Sequence, residues 1–159
     1  MNTLTTLTVI LALVGSALIG GVFFAFSNFI MKALARLPAL EAIAAMKSIN
    51  TVVINPVFLG LFIGTTILFL ILAMISIANW QMPAALLFLV GAIFYIIGTF
   101  LVTGLGNVPL NNQLAAVNDN DSDAVKFWSY YLKRWTRLNT IRSISAMTAT
   151  LIMLVGLLK

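Results

Sequence analysis

The sequence predicts an all-α fold, a bundle of four transmembrane helices with short interfacial helices in its two cytoplasmic loops. Of its 159 residues, 62% are hydrophobic and only 8% are charged, whereas about 25% of residues are charged in a soluble domain. Residues 1–31 and 48–118 contain no charged side chain at all. The few basic residues gather in two segments. We therefore expect one integral membrane domain over residues 1–159.

The first three spans follow from the apolar runs, because a crossing helix needs about 20 apolar residues. The first run holds one span, about 4–30, which is too long and too poor in basic residues for a signal peptide. The second run holds two spans, about 56–78 and 83–104. Asn55 is the expected N-cap of the former, and Pro56 and Pro83 open the two helices. Their short connection predicts an antiparallel hairpin.

One more span and two loop helices complete the prediction. The fourth span covers about 143–158, and residues 39–50 form a short Ala- and Leu-rich helix. A loop at 118–122, with Asp121 or Ser122 as N-cap, leads into a second loop helix. One face of that helix carries Trp128, Tyr131, Trp135, Asn139 and Arg142. The pattern predicts an interfacial helix, with its aromatic side chains in lipid or protein and Trp128 and Trp135 typical of an aromatic belt.

Small residues recur at four-residue spacing, which lets membrane helices approach closely. The pairs are Ser16 with Gly20 and Gly60 with Gly64, and a longer series is Gly91, Tyr95, Thr99 and Thr103. We expect the glycines to serve helix packing. The hydroxyl groups of the series should face the bundle interior. Gly104 and Gly106 are interpreted as a helix end.

The distribution of Lys and Arg predicts the orientation. Eight of the nine basic residues fall in the two long loops or at their edges, and only Lys159 lies on the other side. The positive-inside rule places these loops in the cytoplasm of a cell (inner) membrane protein, with both termini outside. Because membrane orientation accounts for the net charge of +5, we expect no nucleic-acid partner.

The residue types exclude several kinds of chemistry. The chain has no Cys and no His, which removes thiolate nucleophiles and the usual ligands of zinc, haem, copper and non-haem iron. A metalloenzyme and a Ser-His-Asp hydrolase are therefore excluded, and we expect no metal and no cofactor.

Polar uncharged residues collect near the cytoplasmic boundary, and each span contributes some. They are Ser27 and Asn28; Asn50 and Asn55; Thr103, Asn107, Asn111 and Asn112; and Asn139 with Arg142. Arg142 is the one charge at the lip of a span, and the amide oxygens of Asn50, Asn107 or Asn111 are its expected partners. Either these amides cap helix ends, or they line a pocket that opens toward the cytoplasm or the inner leaflet.

Four segments resemble the anthrone oxygenase-like family of small membrane proteins, most of unknown function. They are FFAFSNFIMKALARLP (23–38), AAMKSIN (44–50) followed by Asn55-Pro56, GTFLVTGLGNVPLNNQLA (98–115) and WTRLNTIRS (135–143). The resemblance spans about 20–158. It implies a four-helix membrane bundle and, for a few members, oxidation of a polyketide anthrone by O₂ without metal or flavin.

By this resemblance Arg142, Asn107 and Asn111 are candidate catalytic residues that stabilise an enolate oxygen, and Trp135 stacks on a flat ring. The predicted substrate-binding set is Asn50, Asn107, Asn111, Trp135, Asn139 and Arg142. Glu41, Tyr95 and Tyr131 are candidates for the base, and none of them matches a role in the family.

Three functions remain open from the sequence. The chain binds a hydrophobic small molecule, lipid or partner at the cytoplasmic ends of its helices, or it is a cofactor-independent oxygenase of an anthrone-like or quinol-like aromatic. The third alternative is a small transporter or channel, although no charge falls mid-span and no inverted repeat is present. The expected partners are the lipid bilayer, a hydrophobic aromatic molecule or quinone, and a second copy of the chain in a homo-oligomer.

Overall fold

The computed structural model describes residues 2–118 and 123–159, and the regular structure within them is helical. The five helices are α1 Thr3–Leu34, α2 Ala39–Val52, α3 Pro56–Ala78, α4 Ala85–Ala116 and α5 Ala124–Leu157. All except α2 are long and apolar enough to cross a membrane. The predicted all-α bundle of four transmembrane helices is confirmed, and the chain is a multi-pass membrane protein.

Local sequence signals set the start of α3. Asn55 adopts an extended conformation, and its side chain accepts hydrogen bonds from the backbone N–H groups of Val57 and Phe58 at 3.1 and 3.0 Å. Pro56 follows at the first helical position, where its missing N–H costs nothing. The next helix, α4, begins at Ala85, two residues after Pro83. The turn between α3 and α4 is short, and the expected hairpin forms.

The last helix is longer than the predicted span. α5 has 34 residues, about 51 Å at 1.5 Å per residue, so it extends beyond a hydrocarbon core of about 30 Å. The predicted second loop helix and fourth span are thus one continuous helix, since no Gly or Pro interrupts residues 124–155. Asp121 and Ser122, the predicted N-caps, lie outside the described residues, and Asp123 directly precedes the helix.

Three stretches of the wider π-helical turn occur within α1 and α4, at Phe26–Ile30, Phe94–Leu101 and Thr103–Asn107. Bonds such as Met31 N–H to Phe26 C=O and Val108 N–H to Thr103 C=O join residues five apart. This turn lets α4 continue through Gly104 and Gly106, where the sequence predicts a helix end, so that prediction is wrong. π-Turns inside α-helices frequently mark functional sites.

The small residues pack as predicted in some places and not in others. Ser16 Oγ donates to the carbonyl of Ala146 at 2.9 Å, which joins α1 to α5. A Cβ on Gly20 would lie 3.3 Å from the Cβ of Ala146. Outside the local backbone of α3, no atom of the described residues lies within 4 Å of a Cβ built on Gly60 or Gly64. The predicted packing role is therefore wrong for those two glycines, because their side of α3 faces outward.

The long helices run antiparallel, and one end of the bundle carries nearly all the basic residues. We call this the basic end; it contains the end of α1, all of α2, the start of α3, the end of α4 and the start of α5. Two buried clusters fill the bundle. The outer core, in the opposite half, includes Phe69, Phe88 and Tyr95, and the basic-end core includes Met46, Tyr131 and Trp135.

Trp128 and Trp135 belong to the basic-end core and not to an aromatic belt. They are 5% and 4% exposed, and Tyr131 between them is fully buried. The Tyr131 ring stacks on both indoles, at centroid distances of 5.6 and 6.3 Å. The belt interpretation is wrong because α2 and the end of α4 cover this face of α5.

Candidate functional site

A cavity of about 340 Å³ lies at the basic end, where the outer core and the basic-end core meet. Protein interiors have few voids larger than a water molecule, so a gap of this size between two packed cores is a candidate binding site. All five helices line it. The lining residues are Val22, Phe23, Phe26, Met46, Ile49, Asn50, Val53, Ile54, Phe58, Leu59, Phe62, Ile63, Phe100, Thr103, Gly104, Asn107, Val108, Asn111, Trp135 and Arg142. We call it the Arg142 cavity.

Arg142 is 4% exposed and lies one helical turn beyond Asn139 on α5. Its Nη2 donates to Asn139 Oδ1 at 2.6 Å, and its Nη1 donates to Thr103 Oγ1 at 3.2 Å. The predicted amide partners Asn50, Asn107 and Asn111 are wrong, because Thr103 and Asn139 hold the guanidinium instead. Nε is buried and has no hydrogen-bond partner within the described residues.

The guanidinium also has no carboxylate within hydrogen-bond reach among residues 2–118 and 123–159. The single ion pair of that part of the chain joins Lys126 to Asp123 on the surface at 3.1 Å. Two aromatic rings contact the guanidinium instead, since Arg142 Cζ lies 4.0 Å from the Phe23 ring centroid and 5.3 Å from that of Trp135. Cation–π contacts of this kind stabilise a desolvated cation by about 2 kcal/mol. They do not neutralise its charge.

Asn107 carries a hydrogen-bond acceptor without a partner. The residue is 1% exposed, and its Nδ2 donates to the carbonyl of Trp135 at 3.3 Å. Its Oδ1 is buried and has no partner in the described part of the chain. A buried polar atom of this kind calls for a reason. Because Asn107 lines the cavity, a hydroxyl group of a bound molecule would supply the missing donor.

Asn111 holds two aromatic side chains of α5 in place. Its Oδ1 accepts hydrogen bonds from Tyr131 Oη and Trp135 Nε1, both at 2.8 Å. Asn50 Nδ2 approaches the Tyr131 hydroxyl at 3.5 Å. The Trp135 indole therefore lines the cavity in a fixed orientation, and its ring also packs against Phe26 of α1 at a centroid distance of 5.6 Å.

The predicted substrate-binding residues are brought together with one exception. Asn50, Asn107, Asn111, Trp135 and Arg142 line the cavity, whereas Asn139 does not. Asn139 is fully buried, and its Nδ2 donates to the Phe23 carbonyl and to Ser27 Oγ at 2.6 and 2.7 Å. It connects α1 to Arg142 as a positioning residue. Of the other polar residues expected at this level, Asn28 and Asn112 are exposed and Asn55 caps α3.

The sequence prediction missed the aromatic walls. Phe23, Phe26, Phe58, Phe62 and Phe100 line the cavity, and Phe62 contacts Phe23 and Phe100 at centroid distances of 6.4 and 5.7 Å. Phe58 and Phe62 are four residues apart on α3, and Phe23 and Phe26 are three apart on α1. Either spacing places both rings of a pair on the same face of their helix. That spacing was the available signal, although it is also typical of an ordinary core.

Five lining residues lie in π-helical stretches: Phe26, Phe100, Thr103, Gly104 and Asn107. The wider turn changes the direction of the side chains that follow it. As a result α4 packs on α5 through Gly91 and Gly98 in the outer half and presents Thr103, Asn107 and Asn111 to the cavity at the basic end.

The arrangement suits a flat, mainly apolar molecule that carries an oxygen atom. The walls supply aromatic faces, and one corner supplies a cation and an unpaired amide acceptor. The described residues contain no group of three or more His, Cys, Asp or Glu side chains that could hold a metal ion. The polar corner is suited to an oxygen atom that develops negative charge.

Searches of curated proteins and of solved structures gave no match. The family profile described as anthrone oxygenase matches residues 50–152, more than half of the chain. The match covers α3, α4 and most of α5, and therefore includes Asn107, Asn111, Trp135 and Arg142. The chain belongs to the anthrone oxygenase family.

Proposed function

We propose that the chain binds a flat, hydrophobic aromatic molecule in the Arg142 cavity, with an oxygen atom of the ligand against the Arg142 guanidinium. One observation carries this proposal: Arg142 is buried without a carboxylate in the described part of the chain, beside a cavity whose walls are mainly apolar. A buried charge is costly unless it is paired, and an anionic or strongly polarised ligand oxygen would pair it. The unpaired Oδ1 of Asn107 supports a ligand hydroxyl beside it.

The same corner favours a second, catalytic function, the oxidation of an anthrone-like compound by O₂. The methylene carbon of an anthrone loses a proton to water, and the resulting enolate carbon adds O₂ to give a peroxide anion, which takes the proton back to form a hydroperoxide. Loss of water then leaves a carbonyl group, so one anthrone and one O₂ give one anthraquinone and one water. Arg142 would stabilise the enolate oxygen, and the apolar walls would strengthen that interaction.

The candidate bases from the sequence differ in their relation to the cavity. Glu41 is exposed on α2, and Tyr95 stacks on Phe69 in the outer core at 4.6 Å. Tyr131 is the one whose hydroxyl contacts two lining residues, Asn50 and Asn111. A water molecule is the proton acceptor in our proposal, and Tyr131 holds the Asn111 amide through its hydroxyl group.

Binding and oxygen uptake with anthrone test these functions separately. We expect saturable binding of anthrone to the purified protein, weakened in Arg142→Gln, and O₂ consumption above the uncatalysed rate with anthraquinone as product. Arg142→Gln should lower the turnover rate by about 100-fold, the usual effect of losing one oxyanion donor. Arg137→Gln, an exposed basic residue on the same helix, is the matched control. Absence of anthrone and anthraquinone binding would overturn both functions, and binding without uptake would overturn only the second.

Packing in the outer half favours binding over transport. Phe69, Phe88, Tyr95 and Met153 are fully buried there, whereas a channel needs a continuous polar path. A quinone remains a candidate ligand as the product of the proposed oxidation. The homo-oligomer stays a prediction, which the mass of the protein–detergent complex would test.

We also propose that the basic end faces the cytoplasm of the cell (inner) membrane, with both termini outside, because the positive-inside rule governs short loops. The chain has no native Cys, so single cysteines report topology without background. A membrane-impermeant maleimide should label Asn79→Cys in intact cells and Lys126→Cys only after permeabilisation. The reverse pattern would invert the orientation.

A further inference from the structure

We propose that the Arg142 cavity takes its ligand directly from the hydrocarbon of the bilayer, through a lateral opening between α3 and α4 that is bordered by Gly104. This inference rests on the proposed binding function and adds the substrate class, an aromatic compound dissolved in the membrane rather than in water. We call the opening the α3–α4 portal and define it by Ile54, Leu59, Ile63, Gly104 and Val108.

The exposed lining residues of the cavity are all apolar, whereas its charged group and its unpaired amide oxygen are buried. The charged and amide groups of the corner are deeply placed, since Arg142 is 4% and Asn107 1% exposed. The portal residues are apolar and exposed, Ile54 at 68% and Ile63 at 47%. Val22 on α1 is the other exposed lining residue, and it too is apolar. A mouth that met water would carry polar side chains, whereas an apolar mouth suits lipid chains.

Helix geometry places the exposed residues of α3 on its α4 side. A Cβ on Gly15 of α1 would touch Thr65, so Thr65 marks the side of α3 that faces α1. At about 100° per residue, Leu59 and Ile63 point about 120° and 160° away from Thr65. Phe69, whose ring stacks on an α4 ring at 4.6 Å, points about 40° from Thr65 in the same rotational sense. Leu59 and Ile63 therefore lie beyond the α4 contact of α3, on the side away from α1.

The two helices diverge at this point. α3 packs against residues 85–101 of α4, whereas Thr103–Asn107 and Val108–Ala116 pack on α5, and the latter also on α2. Ile63 lies seven residues along α3 from Pro56, about 10 Å at 1.5 Å per residue. The gap thus extends from the basic end down to a depth at which lipid chains surround the bundle.

Gly104 is the residue at which the width of the portal can be changed most simply. It lines the cavity, is exposed, and has no atom within 4 Å of a built Cβ. A phenylalanine at this position should not disturb the fold, and its ring would occupy the mouth of the portal. Gly21 on α1 is likewise exposed with open space around it, but does not line the cavity. It provides a matched control, and Val108→Phe provides a second variant at the portal.

The first experiment measures lipid access without any aromatic ligand. A protein that retains Trp135 as its one tryptophan (Trp80→Phe, Trp128→Phe) is reconstituted into phosphatidylcholine vesicles with brominated acyl chains, which quench indole fluorescence at near contact. Because Trp135 is 4% exposed, quenching requires an acyl chain inside the cavity. We expect clear quenching that Gly104→Phe or Val108→Phe removes and Gly21→Phe preserves. Circular dichroism confirms the helix content of each variant.

The second experiment follows the association of anthrone with the reconstituted protein. Gly104→Phe should slow association about tenfold, within the range over which on-rates vary for related complexes, and should change the equilibrium dissociation constant much less. Gly21→Phe should leave both unchanged. Quenching without anthrone binding supports the portal and overturns the proposed function. Anthrone binding with neither quenching nor an effect of Gly104→Phe overturns the portal and leaves the function standing.

Discussion

Asn139 Oδ1 accepts a hydrogen bond from Arg142 Nη2 at 2.6 Å, while Asn139 Nδ2 donates to the backbone carbonyl of Phe23. One amide side chain therefore links the buried cation of α5 to the backbone of α1. Without it the guanidinium would keep Thr103 as its sole hydrogen-bond partner among the described residues. The position of the cation depends on a residue that does not itself line the cavity.

Replacing Asn139 should destabilise the protein strongly. Asn139→Leu removes the acceptor of a buried charged donor, and we expect the free energy of unfolding to fall by about 3 kcal/mol. Reversible unfolding in mixed micelles measures this loss. The control is Asn28→Leu at an exposed position of α1, with an expected change within about 0.5 kcal/mol.

Adding Arg142→Met to Asn139→Leu should recover part of that stability, because the double variant no longer buries an unpaired charge. If the two losses simply add, the hydrogen bond between these side chains is not what stabilises this corner.

Replacing Asn111 should destabilise the protein, because its side chain accepts hydrogen bonds from two aromatic residues of α5. Asn111→Leu leaves the Tyr131 hydroxyl and the Trp135 indole N–H without their acceptor, which should cost about 2–4 kcal/mol. Asn111→Asp keeps an acceptor at the same place and should lose less. The neighbouring exposed Asn112 gives the control, Asn112→Leu. Equal unfolding free energies for the two leucine variants would contradict the role assigned to the Asn111 network.

Asn107 is expected to behave in the opposite way, with little effect on stability and a large effect on ligand binding. Asn107→Leu loses one long hydrogen bond to the Trp135 carbonyl and also removes the unpaired Oδ1. The two changes offset each other, so the unfolding free energy should stay within about 1 kcal/mol. Anthrone affinity should fall about tenfold, the effect of losing one hydrogen bond of about 1.4 kcal/mol. A large stability loss with unchanged affinity would show that Asn107 is purely structural.

Gly98 should not tolerate a side chain. A Cβ there would lie 2.5 Å from the Cβ of Ser145 on α5, far closer than van der Waals contact. Gly98→Ala should therefore lower the free energy of unfolding by about 1–3 kcal/mol. Combining it with Ser145→Gly removes the clash and should restore much of the loss. Gly21→Ala, which meets no atom within 4 Å, is the control and should be close to neutral.

The fold could be predicted from the sequence because bilayer physics constrains it strongly. Charge-free runs of more than 20 residues and the Asn55-Pro56 start signal determined the helices with little help from tertiary contacts. The sequence did not show that residues 124–142 and 143–157 form one helix. Charged residues normally mark the end of a membrane span, but here the helix simply continues past the membrane boundary.

The site was predicted in part, and the errors have a common cause. The common face of Trp128, Tyr131, Trp135, Asn139 and Arg142 is correct as a face. Whether such a face meets lipid or protein depends on what other elements cover it. The sequence pattern is the same in both cases and cannot distinguish them. The assignment of Trp128 and Trp135 to an aromatic belt was therefore wrong. For the same reason Gly60 and Gly64 were assigned to packing, although no other described helix comes within 4 Å of a Cβ built on either glycine.

The π-helical stretches of α4 have a consequence for comparisons within the family. A π-turn holds one residue more than an α-turn without breaking the helix, so loss of one residue between 94 and 107 would restore regular α-helix there. The residues that follow would keep their helix faces, because the lost residue is the extra one that the wider turn accommodates, so the asparagines that correspond to Asn107 and Asn111 would still reach the cavity. Alignments of relatives should therefore allow single-residue gaps in this segment. A relative with such a gap should keep the same polar corner, although an alignment without the gap would shift its asparagines by one position.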